Sequence, residues 1–136
     1  MVVLLTLSSC GWMPTTLTVG GDVMLSRSGE PIFSMDSPWG EVETLLNSEK
    51  QDFFAVNLES PIGNFPFQDP GSEAGTNLCA DKQQIRLLVK GSVDLVTRVN
   101  NHALDCLPES SQVADNLLAE AGILSLAIPG EVNYVK

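Results

Sequence analysis

Three apolar stretches of this chain each run into residues that bind metals or move protons. Thr16 to Val19 leads into Gly21-Asp22, Phe53 to Val56 into Asn57-Leu58-Glu59, and Val93 to Val99 into Asn100-Asn101-His102. If the stretches are parallel strands, their carboxyl ends lie side by side, and one cleft collects Asp22, Glu59, several amides and the only His of the chain. Asn57 and Glu59 are two residues apart, so in an extended strand they face the same side, one with an amide oxygen and the other with a carboxylate. Asp105 follows His102 closely enough to orient its ring. Carboxylates, amides and one imidazole at a shared edge suit metal-assisted hydrolysis better than other chemistry. Each cluster alone has a plainer reading. Gly20-Gly21-Asp22 is also an ordinary turn sequence, Asn57 and Glu59 could cap backbone groups, and a lone His is more often structural than catalytic. Their joint placement at three strand ends favours a site.

The elements that would position these residues alternate along the chain. The 136 residues make one modest domain, large enough to bury a core without cross-links. After the first strand, Pro38 to Asn47 predicts a short helix capped by Ser37 with Pro in its first turn. Phe53 to Val56 is apolar throughout and reads as a parallel strand buried on both faces. Pro61 to Gly75, rich in Pro and Gly, reads as a long loop beside the cleft. Asp81 to Lys90 carries Ile85, Leu88 and Val89 at helical spacing, with Gly91 as its C-cap. Val93 begins the third strand. Ser110 to Ala121 predicts a helix capped by Gly122, and Ile123 to Ile128 a fourth strand. The alternation is that of an α/β fold with right-handed crossovers.

Composition narrows the class of function. An apolar fraction of 43% and a charged fraction of 18% describe an ordinary globular chain, neither disordered nor membrane-spanning. Seventeen acidic against seven basic residues give a formal charge of −10, a field that repels polyanions and attracts divalent cations. Without a basic stripe, nucleic acid is excluded as a partner.

The amino end has its own pattern. Met1 to Leu7 is almost wholly apolar and runs into Leu7-Ser8-Ser9-Cys10, which resembles the lipobox of bacterial lipoproteins, although no cationic residue precedes it. Residues 1–16 are therefore read as a truncated lipoprotein signal and linker, with Cys10 as the acylated membrane anchor. The alternative is an edge strand with a free Cys. Setting Cys10 aside leaves Cys79 and Cys106, which either pair outside the cytoplasm or stay as small buried thiols. They do not have the spacing of a zinc site.

Gly21-Asp22-Val23-Met24-Leu25, Asn57-Leu58-Glu59-Ser60-Pro61 and Val96 to Asp105, ending Asn100-Asn101-His102-Ala103-Leu104-Asp105, occur in order along the chain, and Ala121-Gly122-Ile123 follows them. Together they resemble the bacterial CapA capsule-synthesis family, also called poly-gamma-glutamate synthesis proteins, over residues 17–136. That resemblance implies a metallophosphoesterase-like α/β sandwich holding two divalent metals, Mn, Mg, Fe or Zn. It also implies metal roles for Asp22, Asn57, Glu59 and Asn101, and catalytic roles for His102 and for Asp105 behind it. The expected setting is the cell envelope, outside the cytoplasm, with the capsule or polyglutamate synthesis machinery as partner. The other function it allows is non-catalytic: a polymer-binding or assembly protein that uses the same cleft. The later His motifs of the family have no counterpart, so the resemblance covers the amino-terminal half, and the chain is expected to be a fragment. A sheet ending at its fourth strand should expose an apolar edge. Cys106-Leu107 also departs from the family, which has an aromatic-Gly pair after the Asp.

Overall fold

The apolar stretches pair as strands in the computed structural model, which describes residues 3–7, 15–27, 30–31, 39–48, 51–64 and 77–126. In chain order the elements are β1 Val3–Leu7, β2 Thr15–Val23, β3 Ser26–Arg27, β4 Glu30–Pro31, α1 Glu41–Ser48, β5 Phe53–Leu58, β6 Ile62–Gly63 and β7 Ala80–Asp81. They continue with a 3-10 turn Lys82–Gln84, α2 Ile85–Lys90, β8 Leu95–Thr97, α3 Ser110–Glu120 and β9 Leu124–Leu126. The main sheet has the order β1-β2-β5-β8-β9. β1 runs antiparallel at one edge, while β2, β5, β8 and β9 are mutually parallel. Two short ladders, β3 with β4 and β6 with β7, stand beside it. The α/β class read from the sequence is the observed one.

Each parallel step advances one place in the same direction, so right-handed crossovers put their helices on one face. The core follows from that. Val23, Phe54, Val56, Leu58 and Val96 from the sheet pack with Leu46 of α1, Leu87 and Leu88 of α2, and Ala114 and Leu118 of α3. β5 was expected to be buried on both faces, and here the structure differs: Phe54, Val56 and Leu58 are buried, whereas Phe53, Ala55 and Asn57 are half-buried. Three helices sharing one face leave the other less covered among the described residues. At the β9 edge Leu124 and Leu126 are exposed, as is Val99 after β8.

Boundaries shift where local chemistry overrides periodicity. α1 begins at Glu41 rather than Pro38, after a turn in which Gly40 takes φ +51, and Ser37 and Pro38 lie outside the described residues. The helix expected from Asp81 is split. Asp81 ends β7 and caps the 3-10 turn, its carboxylate accepting from the Gln83 N–H at 2.8 Å, and α2 proper starts at Ile85. β8 covers only Leu95–Thr97 of the expected Val93 to Val99. Asp94 instead clamps β5, accepting from the Phe54 N–H at 2.7 Å through its carboxylate and donating its own N–H to the Phe54 carbonyl at 2.9 Å. β9 ends at Leu126, short of the expected Ile128, which lies outside the described residues. The predicted loop from Pro61 contains β6, and residues 65–76 lie outside the described set. Val3–Leu7 forms the edge strand β1; Cys10 lies outside the described residues.

Gly91 caps α2 for a reason the helical pattern does not carry. Its φ is −78, and the left-handed residue is its neighbour Ser92, at φ 52. Gly91 is required by space, since a Cβ there would stand 2.2 Å from Cε2 of Trp39. Trp39 cannot step aside freely. Its indole N–H donates to the Leu87 carbonyl at 2.8 Å, and its ring meets Phe54 edge-to-face at 5.9 Å. Gly91→Ala is therefore expected to lower stability by about 2 kcal/mol, as overpacking does, measured as a shift of the urea midpoint. A midpoint unchanged from wild type would show that Trp39 yields at no cost.

Candidate functional site

Asp22 reaches the cleft through an irregularity in β2. Thr18 lies opposite Phe54 on the buried face, and strict alternation would put Asp22, four residues on, on that same face. The register slips between Val19 and Asp22: Val19 pairs with Ala55 and Asp22 with Asn57, three residues against two. The extra residue, at Gly20-Gly21, makes a β-bulge that reverses the parity. Asp22 then emerges beside Asn57, and Val23 takes the core position opposite Leu58. Glycine fits this bend. A Cβ on Gly20 would lie 3.0 Å from Cγ1 of Val56 and 3.3 Å from Cε2 of Phe54.

Asn57 is the centre of the site. Its Nδ2 donates to Asp22 Oδ1 at 2.8 Å and to Glu59 Oε2 at 2.6 Å. Its Oδ1 accepts from Thr97 Oγ1 at 3.1 Å and from Asn100 Nδ2 at 3.3 Å. The ends of β2, β5 and β8 are thereby joined through one amide. Asn100 adds a donation from Nδ2 to the Leu58 carbonyl at 2.9 Å, and its Oδ1 accepts the His102 N–H at 3.0 Å, which shapes the turn after β8.

That turn delivers the imidazole. His102 Nδ1 lies 2.8 Å from Asp105 Oδ2, as the spacing led one to expect, and Nε2 points toward Glu59, 3.9 Å from Oε1. The latter is too long for a hydrogen bond, so Nε2 has no such partner among the described residues. Asp105 is fixed in turn. Its Oδ2 also accepts the Leu78 N–H at 2.7 Å, and its carbonyl accepts from Asn77 Nδ2 at 2.7 Å. Cys79 and Cys106 form a disulfide beside it, with Cα atoms 5.0 Å apart, which decides between the two readings of that pair.

Of the six residues singled out from the sequence, Asp22, Asn57, Glu59, His102 and Asp105 are drawn into one network. Asn101 stands exposed in the turn, and its side chain makes no hydrogen bond to a described residue. Thr97 and Asn77 complete the network without having been selected, and Asn100, named in the cluster after the third strand, joins it without having been given a role. Thr97 carried a signal, being the polar member of an apolar strand two residues after Leu95.

The sheet of parallel strands gathers carboxylates, amides and an imidazole at its carboxyl ends, the arrangement of an α/β fold with its site at the strand ends. The family model described as bacterial capsule synthesis protein PGA_cap matches residues 16–126, and the chain belongs to that family. No curated protein matches it.

The donors present suit a hard divalent cation. Asp22 and Glu59 aim carboxylate oxygens at one shared nitrogen, so their charge converges on one point. Among the described residues no three or more His, Cys, Asp or Glu side chains close on a common position. The pair thus offers two carboxylate ligands, a number that serves for cations also held by water and phosphate oxygens.

Proposed function

We propose that Asp22 and Glu59 hold a divalent cation and that the cleft hydrolyses a phosphoester in capsule synthesis. Membership of a capsule synthesis family supports the broader role. The finer reading is carried by one observation: two carboxylates share the Asn57 amide while His102, backed by Asp105, presents its Nε2 3.9 Å from Glu59 Oε1, with no hydrogen bond to a described residue. A bound cation would supply Lewis-acid polarisation and a more acidic water. The chain's own residues do the rest. Asp105 holds the Nδ1 proton and fixes the ring, so that Nε2 faces the departing oxygen and can pass it a proton. Asn57 keeps the carboxylates in register, and Thr97 and Asn100 keep Asn57 in place. With this activity we place the protein in the cell envelope, anchored through Cys10 and working with the capsule or polyglutamate synthesis machinery.

Calorimetric titration of Mn²⁺ into the folded chain tests the reading. Saturable binding is expected for wild type, none for Asp22→Ala, and near-normal binding for His102→Ala. With bis(p-nitrophenyl) phosphate as substrate, His102→Ala should lower the rate by about a hundredfold or more. A folded wild-type chain that takes up no Mn²⁺ would remove the hydrolase from consideration. The second reading, a non-catalytic polymer-binding or assembly role, would then stand, favoured by the Asn57 amide donating to both carboxylates.

A further inference from the structure

We propose that the Cys79–Cys106 disulfide positions His102, so that reducing it releases the ring from the orientation the site uses. The inference stands on geometry and does not rest on the cation reading.

The connection runs through few atoms. Cys106 directly follows Asp105, and Cys79 directly follows Leu78, whose N–H is held by Asp105 Oδ2 at 2.7 Å. That same oxygen holds His102 Nδ1 at 2.8 Å. Asn77 ties the two segments a second time. It donates to the Asp105 carbonyl at 2.7 Å while its Oδ1 accepts the Cys79 N–H at 2.9 Å. The segments lie 27 residues apart in sequence, and the disulfide is the covalent link between them.

Each segment also has an anchor of its own. Ser26 Oγ donates to the Cys79 carbonyl at 2.6 Å, and the Ala80 N–H donates to the Pro61 carbonyl at 2.8 Å. On the other side the Leu107 N–H donates to the Asn64 carbonyl at 3.2 Å. Breaking the bond removes the covalent tie and leaves the match between Leu78, Asp105 and the ring to hydrogen bonds alone. Cys79 is fully buried and Cys106 is 8% exposed, at the wall of a small cleft with Leu58, Ile62, Leu104 and Pro108. Dithiothreitol would donate two electrons and two protons, breaking the S–S bond to two thiols and closing to its own cyclic disulfide.

Because His102 is the only His in the chain, its ring can be read without assignment. In ¹⁵N-histidine-labelled protein in mildly alkaline buffer, the oxidised chain should show a fixed Nδ1–H tautomer, the form that donates to Asp105. Free imidazole favours the Nε2–H form, so reduction should move the two nitrogen shifts toward the averaged pattern. Asp105→Asn with the disulfide intact should move them in the same direction, while far-ultraviolet circular dichroism stays native. Unchanged ring shifts in a reduced, folded chain would overturn the proposal. If reduction abolishes the native dichroism, the double variant Cys79→Ala with Cys106→Ala carries the test in its folded fraction: a shift toward averaging supports the proposal, and an unchanged ring rejects it.

Discussion

Phe54→Ala should lower stability by about 4 kcal/mol, the range for emptying a buried aromatic site. Phe54 is 2% exposed as the second residue of β5, and its ring edge meets Trp39, which is itself tied to the Leu87 carbonyl of α2. On its other side the ring approaches the bulge, where even a Cβ on Gly20 would come within 3.3 Å. Several elements therefore lean on one side chain, and Trp39 cannot move into the gap without giving up its hydrogen bond to the Leu87 carbonyl. Against a total of about 5–15 kcal/mol for an ordinary domain, that loss is large. It should appear as a lower urea midpoint with an unchanged slope. A loss under about 1.5 kcal/mol would mean that the core collapses around the vacancy and that Trp39 is not fixed as described.

Asn57→Asp should do most of its damage through charge. The substitution keeps the shape and the acceptor offered to Thr97 and Asn100, but it replaces the N–H₂ between Asp22 and Glu59 with a third carboxylate. Two charge-assisted hydrogen bonds become two like-charge contacts. After allowing for the exposure of Asp22, a cost of about 3 kcal/mol is expected. The sign of the cation effect is the more telling result. If Asp22 and Glu59 form a cation site, Mg²⁺ or Mn²⁺ should raise the melting temperature of Asn57→Asp more than that of wild type, because the ion replaces the missing amide. Equal shifts would argue that the carboxylates do not share a cation.

What could be read ahead of the structure was whatever depends on type and short spacing. The apolar stretch ending at Leu58, the two-residue step from Asn57 to Glu59 and the short step from His102 to Asp105 are local patterns, and the network contains all of them. Other features depend on partners distant in sequence. Whether β5 is buried on one face or two is decided by the direction in which successive crossovers step, and an apolar stretch looks the same either way. The bulge at Gly20-Gly21 is invisible because the count of residues on β2 matters only against the count on β5. Adjacent Asn100 and Asn101 are identical in type, and the backbone turn alone makes the first a network member and leaves the second in solvent. Gly91 looks like a helix stop but answers to Trp39, some fifty residues earlier. The pairing of Cys79 with Cys106 likewise needed coordinates.

The cross-link also decides how the chain yields to a pull on its ends. Residues 79 to 106 carry β7, α2, β8 and the His102 turn inside one covalent loop. Fully stretched, those 27 steps would span roughly 90 Å, whereas across the disulfide the same two points are 5.0 Å apart. Tension passes through the sulfurs and bypasses the loop. A hauled chain would surrender β2 and β5 on one side and α3 and β9 on the other, while the segment bearing the imidazole hangs slack and unloaded until the bond is cut.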